Sequence, residues 1–305
     1  MKKNIQRLVI MLVLLVGVAG QSEGMLPDGK VNDEQKFDES LSPALVVAAK
    51  DGELTVVQNL LSQRANPSAR VKFYTHDFIS GDSSYVDTAL NCALISGHEE
   101  IAQLLIAARA CANQLDSRNA APLAIASARG FPDLVKLLLA AKALVNACAS
   151  NREPALRCAS AKGCAESVQL LLAANALVNA QDYNGDTALI TASDYPKNTD
   201  VVKLLLAAKA LVNMQENHGT TALMRACFFG CAETAQVLMS ARADITLKNE
   251  YGEDALGEVR REFGYRAGEK GYIDMVRLLI MAIVESEWEA CPLEVIKEEI
   301  IPFVE

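Results

Sequence analysis

The chain has 305 residues, a formal net charge of −9, and a composition that is 51% hydrophobic but only 5% aromatic. The acidic balance excludes nucleic acid and anionic lipid as expected partners, because both are held by cationic neutralisation; it favours solubility or a basic partner. So few rings among so many apolar residues point to a core of alanine and leucine in short helices.

In chain order, Lys2, Lys3 and Arg7 form a basic head before an apolar run of twelve, Leu8 to Ala19, which closes on the small residues Val18-Ala19-Gly20. This is the pattern of a secretory signal peptide over residues 1–20, and it predicts export to a periplasmic or extracellular location. The run is short of the roughly 20 apolar residues of a stable membrane span, so the one membrane association expected is through an uncleaved signal segment. Cleavage leaves a mature chain of net charge −12. Residues 21–40 are polar and acidic and are expected to form a flexible leader.

From there a pattern recurs. In residues 183–216 an Asn184-Gly185 turn precedes a short helix opening on Thr187, then a Val201-Val202-x-Leu204-Leu205 stripe, then Val212-Asn213. Taking the leucine of the first helix as anchor gives Leu45, Leu90, Leu123, Leu156, Leu189, Leu223 and Leu256, with gaps of 45, 33, 33, 33, 34 and 33. A period near 33 residues means a repeat array whose neighbours share one continuous core. Repeat 1 opens on Ser42-Pro43, a cap followed by a proline at the first helical position. The 45-residue gap marks a 12-residue insertion near 68–83, containing Phe73, Tyr74, His76 and Phe78, that lengthens the loop between repeats 1 and 2. The leucine runs at 104–105, 137–139 and 170–172 are core. Pro196 should end the first helix of repeat 5 early. In repeat 7 the glycine equivalent is displaced to Gly271, which places an eight-residue insertion near 260–268. Residues 284–305 carry seven Glu and one Lys and are expected to form an acidic C-terminal capping helix over 283–305, as terminal repeats need for solubility.

The unit resembles the ankyrin repeat, whose pattern runs D-x-x-G-x-T-P-L-H-x-A-A-x-x-G, then I-V-x-L-L-L-x-x-G-A-D-V-N. Gly185-Asp186-Thr187-Ala188-Leu189 and Gly219-Thr220-Thr221-Ala222-Leu223 stand for G-x-T-P-L. Gly52, Gly97, Gly130, Gly163 and Gly230 follow their anchors by seven residues, and Asn146, Asn179 and Asn213 close three units. The resemblance covers about residues 42–282 and implies an all-α solenoid of about seven helix-turn-helix repeats with hairpin-like finger loops. Two departures stand out. The histidine after the anchor leucine is replaced by Val46, Asn91, Ala124, Arg157, Ile190 and Met224. The glycine after the second helix is replaced by Arg64, Arg109, Lys142, Asn175, Lys209 and Arg242. A left-handed backbone there would cost about 1 kcal/mol per non-glycine residue, offset in part by a cation at the helix C-terminus.

The residues carry little chemistry. His76, His98 and His218 lie in different repeats with no ligand spacing, and His98 sits where the family's histidine is structural; no P-loop or dinucleotide fingerprint is present. Gly81-Asp82-Ser83-Ser84 resembles the serine block of one lipase family but lacks its partners, so a hydrolase built on the 68–83 insertion, with His76 as base, is the remote alternative. Eight cysteines in an exported chain suggest disulfides, yet Cys92 and Cys158 share a phase two repeats apart, about 20 Å, against a limit of about 7 Å. They are expected to pack as small hydrophobes. No metal and no cofactor is expected.

Ankyrin function resides on the finger tips and the exposed positions of the first helix, which line a concave face. In register these positions hold Tyr85, Arg118, Arg129, Lys162, Tyr183, Tyr195, His218, Phe228, Phe229 and Tyr251, together with Asp87, Asn151, Glu153, Asp186 and Glu253. Six of the chain's fifteen Tyr and Phe residues fall on these few places, and aromatic side chains are the usual anchors of an interface. Phe228 and Phe229 are adjacent on a short helix and cannot both point inward; one could instead pack on repeat 7. The expected face is basic in repeats 3 and 4 and aromatic in repeats 5 to 7. The function implied is a non-enzymatic, monomeric scaffold for a protein partner, with no small-molecule substrate. A second reading comes from Pro292-Leu293-Glu294-Val295 with Ile300 and Phe303, which resembles the start of an F-box-like element. Some ankyrin proteins of poxviruses and intracellular bacteria end in one and recruit a ubiquitin ligase adaptor, so the chain would then be a secreted effector.

Overall fold

The computed structural model describes residues 37–77, 81–266 and 277–279, with only the backbone described over 73–77, 81–85 and 262–266. The signal segment, most of the leader, part of the 260–268 insertion and the acidic tail lie outside the described residues.

The repeats are helix pairs. Repeat 1 holds α1 (Ser42–Asp51) and α2 (Leu54–Ser62). Repeat 2 holds α3 (Ala89–Ser96) and α4 (Glu99–Ala107), and repeat 3 holds α5 (Pro122–Arg129) and α6 (Pro132–Ala140). Repeat 4 holds α7 (Ala155–Lys162) and α8 (Ala165–Ala173), and repeat 5 holds α9 (Ala188–Ala192) and α10 (Thr199–Ala207). Repeat 6 holds α11 (Ala222–Phe228) and α12 (Ala232–Ser240), and α13 (Ala255–Arg266) opens repeat 7. First helices pack on first helices and second on second, from α1 against α3 through to α11 against α13. Short helices form because each has a start and a stop. Thr88, Thr187 and Thr221 cap their helices by accepting from the backbone N–H three residues on, and Gly52, Gly97, Gly130 and Gly163 end theirs in the left-handed conformation.

Neighbours supply the burial. The anchors Leu45, Leu90, Leu123, Leu156, Leu189 and Leu223 are fully buried, as are Leu105, Leu138, Leu171 and Leu205 of the second helices. Each such side chain contributes about 1.5–3 kcal/mol, and none could be buried by its own repeat.

A polar ladder sets the step between repeats. The Asn113 side chain accepts from Leu144 N at 2.7 Å, Asn146 from Leu177 N at 2.9 Å, Asn179 from Leu211 N at 2.9 Å and Asn213 from Asp244 N at 2.9 Å. Asn113 belongs to the series although the sequence pattern singled out only the other three. In repeat 1 the same task falls to Ser68, whose hydroxyl accepts from Cys111 N at 2.8 Å. A second set of bonds reaches from one repeat to the C-terminal end of the preceding repeat's first helix. His98 Nε2 lies 3.0 Å from Lys50 O, Asn198 donates to Ser160 O at 3.0 Å, and Arg129 donates to Ile95 O. Lys50 O and Ile95 O are carbonyls that a helix C-terminus leaves open, while Ser160 O also accepts from Gly163 N.

Four local expectations are refined. The cap of repeat 1 is not Ser42, which lies inside α1; Asp38 caps a 3-10 turn at Glu39–Leu41 by accepting from Ser40 N at 3.0 Å. Asp38 N also donates to Arg64 O at 2.9 Å, so the array begins before the leader's expected end at residue 40. The first insertion is an antiparallel hairpin of β1 (Val71–Asp77) and β2 (Gly81–Asp87), so the all-α array carries an extended finger; among the described residues the other β pairings are isolated bridges. The inserted residues of repeat 7 lengthen α13 to 12 residues, where α3, α5 and α7 have eight. Repeat 5 follows expectation: α9 stops after five residues, ahead of Pro196.

All six residues in the place of the family glycine are left-handed, with φ between 61° and 67° at Arg64, Arg109, Lys142, Asn175, Lys209 and Arg242. Lys142→Gly should relieve about 1 kcal/mol of backbone cost while losing about 0.3–1 kcal/mol of helix-dipole interaction. The expected net gain in denaturant stability is therefore small at low salt and larger at high salt, where the dipole interaction is screened.

Candidate interaction surface

The fingers are built by short side chains that hold their own turns. Asp116 accepts from Arg118 N and Ala120 N at 2.8 and 2.7 Å, and Asp182 from Asn184 N and Asp186 N at 2.8 and 2.9 Å. Glu216 accepts from His218 N and Thr220 N, and Asn249 from Tyr251 N and Glu253 N, all at 3.0 Å. Repeat 4 has Ala149 at this place; its finger is a 3-10 turn, Ser150–Arg152, in which Asn151 and Arg152 are both left-handed. The fingers then link to one another: Tyr183 N donates to Asn151 O, Asn217 N to Asn184 O and Glu250 N to His218 O, at 3.2, 3.0 and 2.8 Å. The tips of repeats 4 to 7 form one hydrogen-bonded row.

Beneath this row an ion-pair network runs across repeats 4 to 6. Arg157 Nη1 lies 3.2 Å from Glu153, its Nη2 4.0 Å from Asp186, and its Nε 3.1 Å from Asp182, without the alignment of a hydrogen bond. Arg225 continues the chain, 3.3 Å from Asp186 and 3.6 Å from Asp194. Four carboxylates face two guanidiniums. Burial pushes Asp186 upward against the pull of Arg225, and burial pushes Asp194 up to about 6, also against Arg225, with Asp186 adding to the rise and Arg157 opposing it. The sequence pattern noted Arg157 only as a replacement for the family's histidine and passed over Arg225 and Asp194. The signal was present: Arg225 breaks a row of small or apolar residues two after the anchor (Cys92, Ile125, Cys158, Thr191), and Asp194 sits where Pro196 cuts the helix short.

The predicted surface residues fall into three groups. His218, Phe228 and Tyr251 come together around an open groove of about 220 Å³, with Arg225 and Arg261 among its other walls. Phe228 is half-buried, its ring edge-to-face with Phe229 at 4.9 Å, and the Arg261 guanidinium lies 5.3 Å above it. One ring therefore packs on repeat 7 while Phe229 stays exposed. His218 Nδ1 is 2.7 Å from Glu250. Tyr183 and Tyr251 are 73% and 72% exposed on the fingers of repeats 5 and 7, and Tyr195 is exposed with Lys197 Nζ 5.8 Å over its ring. The basic residues of repeats 3 and 4 are exposed but individually anchored. Arg129 is held by Ile95 O, the Lys162 stem lies over Gly130, and Arg118 is 3.6 Å from Asp116. Tyr85 is on β2 opposite Phe73, away from the groove-bearing repeats, and its side chain lies outside the described residues.

The remote chemistry finds no support in the backbone register: His76 pairs with Asp82 rather than with Ser83 or Ser84. Among the described residues no group of His, Cys, Asp and Glu could hold a metal ion. The seven described cysteines are free thiols, and burial pushes Cys92 and Cys158 up to about 12 and Cys231 to about 11, so they pack as protonated hydrophobes.

The repeat architecture is matched by the family model "Ankyrin repeats (3 copies)" over residues 45–151, 123–216 and 156–249. The chain belongs to the ankyrin repeat family. Comparison with curated proteins gives no match. Among solved structures the chain is similar to the human ASB11 ankyrin repeat domain, at 25% identity and a TM-score of 0.58, over 70% of this chain and 90% of that one.

The elevated Asp194 carboxyl gives a pH test. A carboxyl with a raised folded pKa binds its proton more tightly in the folded state, so its contribution is lost as pH rises from about 4 through about 6. Asp194→Asn should therefore be more stable than the native chain at pH 7, by on the order of 1–3 kcal/mol, with the difference closing below pH 4. Urea unfolding at both pH values checks this; a constant difference would place the effect elsewhere.

Proposed function

We propose that this ankyrin protein is a non-enzymatic scaffold that takes a protein partner on its concave face, centred on repeats 5 to 7. The observation that carries this reading is the groove at His218, Phe228 and Tyr251, continued by the exposed Tyr183, Tyr195 and Phe229. Large, stiff side chains supply contact area at low entropic cost. The half-buried ion pairs beneath them, linked from repeat to repeat, hold the face in one arrangement, and preorganisation of this kind raises affinity.

The test is an affinity capture with residues 21–305, beside a Phe228→Ala/Phe229→Ala form shown by circular dichroism to remain helical. The native form should retain a specific partner and the variant should lose it, by about tenfold or more in affinity. Equal retention by both would move the site off this face.

The basic, apolar head of the chain adds a proposal of export. Residues 1–20 fused to a reporter that works only outside the cytoplasm should give activity, and Lys2→Glu/Lys3→Glu should reduce it; activity without residues 1–20 would remove the assignment.

A further inference from the structure

The edge of the solenoid where the second helices end carries a pattern separate from the finger face. Leu144, Leu177 and Leu211 stand at the same place in repeats 3, 4 and 5 and are 63%, 61% and 59% exposed. Each replaces the acidic residue of the family pattern. Scattered surface leucines need no explanation, but three in register along one edge form a regular apolar row. The stripe is fixed in place: the backbone N–H of each leucine is held by the asparagine of the preceding repeat. Two residues before Leu144 and Leu211 stand Lys142 and Lys209, and Arg109 and Arg242 extend the same row to either side; all four are exposed. No ion pair engages any of the four among the described residues. The stripe ends in repeat 6, where the exposed Asp244 stands in the leucines' place beside Arg242; of the other acids in this chain of net charge −9, many lie at the opposite ends of the second helices, where Glu99, Asp133, Glu166, Asp200 and Glu233 occupy the first turns.

From this we infer a second docking edge, whose occupant is an acidic amphipathic helix of a protein partner. The charge of the row selects an acidic ligand, and its apolar stripe selects one with a leucine-like face. Successive repeats lie about 10 Å apart, so the three leucines span about 20 Å, the length of roughly thirteen helical residues. A partner helix with apolar residues on one face and glutamates flanking them meets the leucines and the cations together, the helix-in-groove mode of recognition. This edge is distinct from the concave face, so the array can hold two partners at once.

The probe is a synthetic helix of about 18 residues with leucines at i, i+3, i+4 and i+7 spacing and glutamates elsewhere, beside a version with glutamine for glutamate. Titrated against the full chain, the acidic peptide should bind and the glutamine peptide should bind at least about tenfold more weakly. Leu144→Asp/Leu177→Asp/Leu211→Asp should weaken acidic-peptide binding by at least about tenfold, and Lys142→Gln/Lys209→Gln should lower both the affinity and its dependence on salt. These side chains are exposed, so circular dichroism and melting temperature should stay near native. Phe228→Ala/Phe229→Ala should bind the peptide as the native chain does, which separates this edge from the concave face. Absence of peptide binding, or equal binding by the leucine variant, overturns the inference. So does capture by anionic vesicles in place of the peptide, which would make the occupant a membrane surface. Self-association of the native chain that the leucine variant abolishes would make it a second copy.

Discussion

The structure rests on one constraint: no repeat can bury its own anchor leucine. Leu156 is covered only because α7 lies between α5 and α9, and the same holds along the array. Because burial is shared, the step between repeats must be kept constant, and the asparagine ladder does this. Asn113, Asn146, Asn179 and Asn213 each tie their own repeat to the backbone of the next at 2.7–2.9 Å. A hydrogen bond of this kind contributes about 0.5–1.5 kcal/mol net, less than a buried leucine, but its direction makes it the element that sets register. The hydrophobic term holds the helices together; the polar term decides where each one sits.

That division leaves the surface free to vary. The first helices and fingers accept Phe, Tyr, Asp and Arg at the same positions because their backbone needs are met by the caps, the left-handed glycines and the self-bonded turns. Repeats 4 to 6 use this freedom to run Glu153, Arg157, Asp186, Arg225 and Asp194 into one network. The network carries a cost. Asp194 meets Arg225 at 3.6 Å without a hydrogen bond and is pushed up by burial, so part of the stability given by the core is offset at the face proposed to bind. The left-handed lysines and arginines after the second helices show a similar trade. The backbone there would favour glycine, and the residues present instead form a row of exposed cations.

Most of the architecture was legible in the sequence, because a solenoid repeats its own instructions. The equal spacing of the anchors set the repeat period, its one long gap marked the insertion that forms the β1–β2 finger, and Pro196 announced the short α9. The six non-glycine residues in the left-handed position could be named in advance for the same reason. The family resemblance implied that His98 would be structural, and its ring faces Lys50 O. The reading failed where a side chain chooses between solvent and a neighbouring repeat. By position Arg129 and Lys162 are exposed cations, and the pattern did not show that one also donates to Ile95 O and that the stem of the other lies over Gly130. Arg225 and Asp194 escaped notice because their partners are about thirty to forty residues away in sequence, beyond the reach of any local pattern.

The sequence by itself determined the period, the helix starts and stops, the shared core and the family, since these depend on residue type at fixed intervals. Only the tertiary structure decided which of the exposed positions are free and which are engaged by the next repeat. It placed Phe228 under Arg261, gathered His218 and Tyr251 around the same groove, and aligned Leu144, Leu177 and Leu211 into an edge. Those outcomes depend on stacking, which converts one offset along the chain into a neighbour in space, and the length and direction of each side chain then settle what it meets there.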